Sequence, residues 1–239
     1  MTEGPPATIV ALLLAAGSGD RLGGSVPKAF VPLCGRPLLL HSLGAIAASA
    51  VIDSVVMIVP RSMVGQAAEM VRAASSSIRV EAIVPGGGSR SESVRCGLAA
   101  APPAAGVVVC HDAARPLASP ELFRRVIDRL ARADGVVPVV PSPDTVKRIR
   151  DGEVLETIPR AQVGLVQTPQ AFVASKLRSA HESSKARRDA DATDDAMLME
   201  LAGFRVITVE GETSNFKITT PEDLLRAELM GNHQVEETP

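Results

Sequence analysis

Residues 9–28 read IVALLLAAGSGDRLGGSVPK. The stretch begins with an apolar run at 9–14, of the length of a buried strand, and a glycine-rich segment follows at once. Because glycine permits positive φ and a close approach of backbone to ligand, successive N–H groups in such a loop can bind an anion. Arg21 and Lys28 add two side-chain cations. The stretch therefore predicts a strand followed by a polyphosphate-binding loop.

Two common glycine signatures do not match this loop. A Walker A loop requires Gly-Lys-Ser/Thr, and a dinucleotide fingerprint requires a third glycine where Leu22 follows Gly17 and Gly19. An ordinary strand-to-helix turn that tolerates glycine remains an alternative interpretation. The loop does resemble the A-A-G-x-G-x-R pattern, followed here by Pro27-Lys28, of nucleotidyltransferases that join a nucleoside triphosphate to a phosphorylated sugar or polyol.

The composition excludes several classes of protein. With 239 residues, of which 46% are hydrophobic, the chain can bury a sizeable core, and we expect a single domain over 1–239. A formal net charge of −2 argues against a general nucleic-acid or membrane surface, and the absence of Trp and Tyr argues against a base-stacking platform. We therefore expect neither a nucleic-acid nor a membrane partner. Any base should be recognised by backbone and small polar groups.

The cysteines and the N terminus indicate a cytoplasmic protein. Cys34, Cys96 and Cys110 are odd in number and form no C-x-x-C, so they predict neither a disulfide framework nor a zinc knuckle. The first apolar run is too short to span a bilayer, and no Lys or Arg precedes it as in a signal peptide. We expect a disordered start at about 1–7 and a flexible tail at about 232–239.

Strand and helix patterns alternate along the chain. Further β-branched runs predict strands at 51–59, 78–84, 107–110 and 135–140. The intervening segments are helix-compatible, and the segment 166–172 is predicted as a turn or edge strand before a helix near Ser175. This alternation favours a Rossmann-like α/β fold, with a mostly parallel central sheet and helices on both faces.

A second glycine-rich segment follows the third predicted strand. Residues 85–93 read PGGGSRSES. One interpretation is a capping box, in which Ser89 and Glu92 start the next helix. The other is a second ligand-binding loop, because the carboxyl ends of parallel strands meet at one edge of the sheet. Both interpretations can hold together.

Asp112 follows the strand predicted at 107–110 and is a candidate metal ligand. Mg²⁺ takes one or two carboxylates together with substrate phosphate oxygens, so one carboxylate at a strand end is sufficient. A helix cap or a salt bridge to Arg115 is the alternative role. The neighbouring His111 is expected to pack or to support the site, and not to catalyse.

The segment 142–160 is predicted to form a β-hairpin arm. Asp151-Gly152 lies between two segments of alternating polarity, which is a strong hairpin signal. The strands are too polar to belong to a core, and a two-stranded ribbon is marginal alone. A second subunit is the simplest packing partner, so the arm predicts a homodimer.

Several motifs together resemble one family over nearly the whole chain. They are AAGSGDR with Pro27-Lys28, GGGSRSESV, VVVCHDAARP, PSPDTVKR, VQTPQAF, TDDAM and NFKITTPEDL. In this order they resemble the 2-C-methyl-D-erythritol 4-phosphate cytidylyltransferases of the non-mevalonate isoprenoid route. Since the sequence ends after the last predicted helix, we expect the stand-alone enzyme and not the form fused to the cyclodiphosphate synthase.

The resemblance implies a Mg²⁺-dependent transfer of CMP from CTP to 2-C-methyl-D-erythritol 4-phosphate, with pyrophosphate as the second product. By motif, Arg21, Lys28 and Lys217 would stabilise charge on the reacting phosphates, and Asp112 would hold the metal. The implied nucleotide-binding residues are Ala15, Ala16, Gly17, Gly19, Arg21, Lys28, Gly87, Gly88, Ser93 and Ala113, the last also facing the polyol. The implied substrate-binding residues are Arg115, Thr145, Arg160, Thr193 and Lys217. Thr145 and Arg160, at the feet of the arm, would reach the active site of the neighbouring subunit.

Three other functions remain open to test. One is a cytidylyltransferase that uses ribitol 5-phosphate or another polyol phosphate. Another is a non-catalytic nucleotide-binding protein on the same fold, against which the joint presence of Arg21, Lys28, Asp112 and Lys217 argues. A dinucleotide-dependent oxidoreductase is disfavoured by the missing third glycine.

Overall fold

The computed structural model describes residues 7–17, 19, 26–74, 77–187 and 192–236. Residues 1–6 of the start predicted to be disordered lie outside these ranges, as does Arg21. Strands are β1 (Thr8–Leu14), β2 (Pro32–Leu33), β3 (Arg36–Pro37), β4 (Ser54–Val59), β5 (Arg79–Pro85), β6 (Ala105–Asp112), β7 (Gly135–Pro141), β8 (Val146–Arg150), β9 (Glu153–Ile158), β10 (Gly164–Val166), β11 (Gln170–Val173) and β12 (Val206–Glu210). Helices are α1 (Leu38–Ser49), α2 (Val64–Ala73), α3 (Arg90–Ala100), α4 (Pro120–Arg129), α5 (Ala174–Arg187), α6 (Asp195–Leu201) and α7 (Pro221–Glu236).

The described residues form an eight-stranded, mostly parallel sheet, which confirms the predicted fold class. Its order is β10-β7-β11-β6-β1-β4-β5, with β12 paired to β7. Strand β1 lies parallel to both β4 and β6, and its last residue, Leu14, is level with Ile58 and Asp112. The loops that follow these strands therefore leave the sheet at one edge.

The two faces of β1 contact different helices. Ala11 and Leu13 belong to a buried cluster with α1 and α4, whereas Val10 and Leu12 belong to one with α3, α5 and α6. Each of these four side chains is fully buried. A strand buried on both faces is apolar at successive positions, which is why residues 9–14 form an unbroken apolar run.

Two helices begin at polar residues that cap them. Ser119 caps α4 by accepting a hydrogen bond from the N–H of Leu122, with Pro120 at the first helical position. Asp194 caps α6 in the same way. The ends of elements were predicted less well, because β4 begins at Ser54 and not at 51.

The prediction of a turn or edge strand at 166–172 is wrong for the second half of that segment. Val166 is the last residue of β10, and after a short connection β11 lies inside the sheet, antiparallel to β6 on one side and to β7 on the other. Phe172 is fully buried there, and a Cβ on Gly135 would lie 2.7 Å from its ring. A four-residue strand is placed by such long-range packing and not by its own short pattern.

The predicted arm is present as a separate two-stranded sheet of β8 and β9. Asp151 and Gly152 connect the strands with φ values of 50° and 84°, the left-handed region that a tight hairpin turn requires. Ile149, Val154 and Leu155 are exposed on this arm. Within the described ranges, no helix is both long and apolar enough to cross a membrane.

His111 is a buried residue of the sheet, as expected. Its ring packs edge-on against Phe123, with ring centres 5.0 Å apart, and its Nδ1 lies 3.1 Å from the Thr168 hydroxyl. Burial is the main cause that lowers the pKa of His111 from its usual 6.5 to about 4. The folded protein therefore holds this ring neutral over a range in which the unfolded chain protonates it.

His111 should make the metal-free protein less stable in mild acid. Because the folded pKa is below the unfolded pKa, stability is complete above about pH 6.5 and falls as pH drops towards about 4. The linkage relation gives a loss of about 2 kcal/mol in unfolding free energy at about pH 5. Urea unfolding of the parent and of His111→Asn, at neutral pH and at about pH 5, measures this loss. An equal pH dependence in the two proteins would contradict the assignment.

Candidate active site

A cavity of about 600 Å³ opens at the edge of the sheet where β1, β5 and β6 end. This volume is typical of sites for small ligands and cofactors. The described site residues predicted from the sequence that line it are Ala15, Ala16, Gly17, Gly19, Lys28, Gly87, Gly88, Ser93, Asp112 and Lys217. The fold thus brings the first glycine loop, the second glycine loop and the end of β6 to one place.

Close backbone packing explains the glycines on both sides of the cavity. Gly19 has a φ of +77°, and a Cβ there would lie 2.5 Å from Cβ of Lys28. In the second loop, a Cβ on Gly86 would lie 2.4 Å from Cβ of Ala16. The two loops therefore approach each other more closely than any side chain would allow.

The N-terminal end of α3 forms the opposite wall of the cavity. Ser89 accepts a hydrogen bond from the N–H of Glu92 at 3.1 Å, which confirms it as the helix cap. The reciprocal bond of a capping box is absent among the described contacts, because the Glu92 carboxylate accepts from the N–H of Gly88 at 2.7 Å instead. Ser93 also stabilises the second glycine loop, because its hydroxyl accepts a hydrogen bond from the N–H of Gly87 at 3.2 Å.

Asp112 lies at the base of the cavity between two cations. Nζ of Lys217 is 2.7 Å from Oδ2 of the carboxylate, and Nε of Arg90 is 3.5 Å from Oδ1. Burial by itself raises the pKa of Asp112, but the charges of Arg90 and Lys217 outweigh it and hold the pKa well below its usual range. The carboxylate is therefore ionised at neutral pH.

Arg115 is not the ion-pair partner of Asp112 that the sequence left open. Its guanidinium donates to backbone carbonyls instead, at 2.8 Å to Asn215 and 3.3 Å to Val166. These bonds tie the end of β6 to the segments before β11 and before α7. Arg115 thereby forms part of the wall of a second cavity.

The second cavity, of about 470 Å³, shares Arg90, Asp112 and Lys217 with the first. Thr193 and Arg115 also line it, so together with Lys217 three of the predicted substrate-binding residues meet there. Two ligands in these cavities would face each other across one carboxylate and two cations. The arrangement can hold two anionic groups close together and shield their repulsion.

Three other predicted residues lie outside both cavities. Ala113 is fully buried, and its N–H and C=O groups bond to Leu14 and Ser42. Thr145 and Arg160 are exposed at the feet of the arm, where Arg160 donates to the carbonyl of Pro143. Arg21 lies outside the described residues.

Sequence reasoning missed two residues at the site. Arg90 lines both cavities, and its signal was its place directly after the second glycine loop. Gln170 lines the second cavity from β11, and its side-chain amide donates to Asp194 at 3.0 Å. No local pattern could find Gln170, because β11 itself was not predicted as an interior strand.

Fold and site together define a class of protein. Parallel strands end in glycine loops around a cavity with lysine and carboxylate groups at its base, and a second cavity opens beside it. This is the arrangement of a Rossmann-like nucleotide-binding protein with room for a second anionic ligand.

Comparison with known proteins identifies the family within this class. The model of the 2-C-methyl-D-erythritol 4-phosphate cytidylyltransferase family matches residues 9–232, and the chain belongs to this family. An enzyme of that name from Corynebacterium efficiens is 43% identical over 228 residues, with 92% of each chain covered. One from Nocardia farcinica is 44% identical over 225 residues, with 93% of this chain and 94% of the relative covered.

Solved structures agree with this assignment. The 4-diphosphocytidyl-2C-methyl-D-erythritol synthase of Anaerococcus prevotii superposes with a TM-score of 0.84 at 31% identity, covering 95% of this chain and 99% of the other. The 2-C-methyl-D-erythritol 4-phosphate cytidylyltransferase of Thermus thermophilus gives a TM-score of 0.73 at 34% identity, with 95% and 98% covered. Family members are nucleotidyltransferases, so the chain is an enzyme of this type.

Gly86→Ala should test the packing of the two loops. Its Cβ would meet Ala16 at 2.4 Å and the Ser93 hydroxyl at 2.8 Å, so we expect the overpacking to lower the unfolding free energy by about 1–3 kcal/mol. The matched control is Gly65→Ala, inside α2, where no atom lies within 4 Å of the new Cβ. That change should raise stability by about 0.5–1 kcal/mol. Urea unfolding measures both, and equal effects would contradict the close approach.

Proposed function

We propose that this chain transfers CMP from CTP to 2-C-methyl-D-erythritol 4-phosphate. The products are 4-diphosphocytidyl-2-C-methyl-D-erythritol and pyrophosphate, in non-mevalonate isoprenoid precursor biosynthesis. The observation that carries the proposal is the pair of cavities meeting at Asp112, Lys217 and Arg90 in a member of this family. A transferase for two phosphorylated substrates needs two adjoining sites with cations where they meet.

The reaction exchanges one phosphorus–oxygen bond for another. An oxygen of the acceptor's 4-phosphate attacks the α-phosphorus of CTP, and the bond from that phosphorus to the leaving pyrophosphate breaks. Nucleophile, centre and leaving group are all anionic, so positioning and charge neutralisation carry the catalysis, without a covalent enzyme intermediate. Lys217 is the proposed contact for the reacting phosphates, and its exposure of 39% and its place in the lining of both cavities support this role.

The first cavity is the proposed nucleotide site. Its glycine-lined loops offer backbone groups to the triphosphate and cytosine, and Lys28 adds a charge at its side. Ser93 is the proposed base contact because it lines this cavity. Its hydroxyl accepts a hydrogen bond from the N–H of Gly87 and keeps its own proton to donate. Arg21 is assigned to the triphosphate from the motif alone.

The second cavity is the proposed acceptor site. Arg115 and Thr193 lie on its walls, where a cation and a hydroxyl can contact the phosphate and hydroxyl groups of the polyol. Lys217 lines this cavity also. An acceptor phosphate held there lies beside the shared cations and faces the nucleotide.

Asp112 is the proposed Mg²⁺ ligand. Among the described residues, no group of three or more His, Cys, Asp or Glu side chains could hold a metal alone. One ionised carboxylate open to both cavities nevertheless fits Mg²⁺, which takes much of its coordination from water and substrate phosphate. When bound, the ion would neutralise phosphate charge and orient the triphosphate.

A pyrophosphate-release assay tests substrate choice. CTP, ATP, GTP and UTP are each supplied with Mg²⁺ and either 2-C-methyl-D-erythritol 4-phosphate or ribitol 5-phosphate. We expect release only with CTP and the first acceptor. Release with ribitol 5-phosphate would instead support the other polyol cytidylyltransferase. No release with any pair would support a non-catalytic nucleotide-binding protein.

The proposal includes a cytoplasmic homodimer with shared active sites. The arm exposes Ile149, Val154 and Leu155, and Ile149 is 68% exposed. Three such side chains on a ribbon that is marginal alone favour packing against a second copy. Thr145 and Arg160, at the feet of the arm, would then reach the partner's acceptor site.

Mixed dimers test the shared site. Lys28→Ala and Arg160→Ala should each abolish turnover. When equal amounts of the two variants associate at random, about half of the dimers are mixed, and each mixed dimer has one intact site of two. The mixture should therefore recover about a quarter of the parent activity. The matched control mixes Lys28→Ala with Lys217→Gln. Both of these lysines line the first cavity of the same chain, so a mixed dimer has no intact site. This mixture should recover nothing. A first mixture as inactive as the control would contradict sharing.

A further inference from the structure

We propose that Arg90 is a positioning residue for the transfer reaction, anchored on the buried carboxylate of Asp195. The inference rests on the proposed function and adds two residues to its machinery. Arg90 is the first residue of α3 and lies between three parts of the site. These are the second glycine loop, the end of β6 at Asp112 and the beginning of α6 at Asp195.

The guanidinium contacts the two carboxylates unequally. Nη1 donates to Oδ2 of Asp195 at 2.8 Å, whereas Nε lies 3.5 Å from Oδ1 of Asp112. The first contact is a charge-assisted hydrogen bond, and the second is an ion pair beyond normal hydrogen-bond length. Arg90 is thus fixed at Asp195, and from there it places a positive charge beside Asp112.

Asp195 is buried and contacts two side chains, so it can hold Arg90 in place. Its side chain is 1% exposed, and its other oxygen, Oδ1, lies 3.0 Å from Nε2 of His181 on α5. Burial raises the pKa of Asp195, but Arg90 and His181 outweigh it and hold the pKa below its usual range. A buried ionised carboxylate with two fixed partners cannot shift without leaving charges unpaired.

The anchor also connects Arg90 to the wall of the second cavity. Asp195 lines neither cavity, but the two residues before it, Thr193 and Asp194, line the second. Asp194 is further held by the N–H of Met197 and by the side chain of Gln170, each at 3.0 Å. One side chain therefore sets the spacing between the nucleotide wall, the central carboxylate and the acceptor wall.

Steady-state kinetics on purified variants tests the role. With saturating CTP and 2-C-methyl-D-erythritol 4-phosphate, we expect Arg90→Gln to lower kcat about 100-fold, as for reacting groups displaced by about 1 Å. Arg90→Lys should recover only part of this, because an ammonium group cannot bridge both carboxylates as a guanidinium does. Asp195→Asn should also lower kcat, although Asp195 lines neither cavity.

A matched arginine separates positioning from stability. Arg178 on α5 is also largely buried, donates to the carbonyl of Leu98 and lines neither cavity. Arg178→Gln should lower the melting temperature and leave kcat within about twofold. Arg90→Gln/Asp195→Asn should be no slower than Arg90→Gln alone, because the two residues act as one unit.

The outcomes distinguish this inference from the proposed function. A parent chain that releases no pyrophosphate overturns both. An active parent whose kcat survives Arg90→Gln or Asp195→Asn overturns the positioning role alone, whatever the melting temperature. If Arg90→Gln does not fold, Arg90→Lys and Asp195→Asn decide: unchanged kcat in either overturns the role, and lowered kcat in both supports it.

Discussion

The register of three parallel strands fixes where the first glycine loop and Asp112 lie. Leu14 at the end of β1 is level with Ile58 on β4 and Asp112 on β6. The ladder continues one residue further, because the N–H of Ala15 donates to Ile58 at 2.7 Å and the N–H of Ala113 donates to Leu14 at 2.9 Å. The first glycine loop and the carboxylate therefore start from fixed, adjacent points. A shift of one residue would turn Asp112 to the other face of the sheet.

Charge at the shared wall follows from this placement. Asp112 lies between Lys217 and Arg90, and Arg90 also pairs with the buried carboxylate of Asp195, so these four charges balance. Lys28 adds a further positive charge to the lining of the first cavity, in a region of reduced dielectric where Coulomb interactions are stronger than in water. The chain as a whole has a net charge of −2, so attraction of two phosphates depends on this local cluster and not on the overall field.

Local chemistry made much of the structure predictable. The apolar run at 9–14, the cap at Ser89 and the turn at Asp151-Gly152 each depend on a few neighbouring residues. Predictions that needed distant partners did less well. Asp112 was identified as a site residue, but its ion pairs come from residues 22 positions before it and 105 positions after it, as the numbers of Arg90 and Lys217 show. A single sequence without an alignment does not pair such residues.

The segment 166–172, which the sequence did not place correctly, forms one wall of the second cavity. β11 pairs with β6 and with the start of β7, while β10 pairs with the end of β7, so the chain between them crosses the sheet edge beside Asp112. The Thr168 hydroxyl accepts from the N–H of Asp112 at 3.0 Å, and the side chain of Asn215 donates to the Thr168 carbonyl at 2.9 Å.

Residues 166–168 and Gln170 accordingly line the second cavity, with the Asn215 bond holding this lining to the segment that carries Lys217. A wholly parallel sheet would place β6 beside β7 and leave no such crossing. The antiparallel insertion is therefore the feature that adds a second cavity to this sheet, and it does so next to the carboxylate that both cavities share.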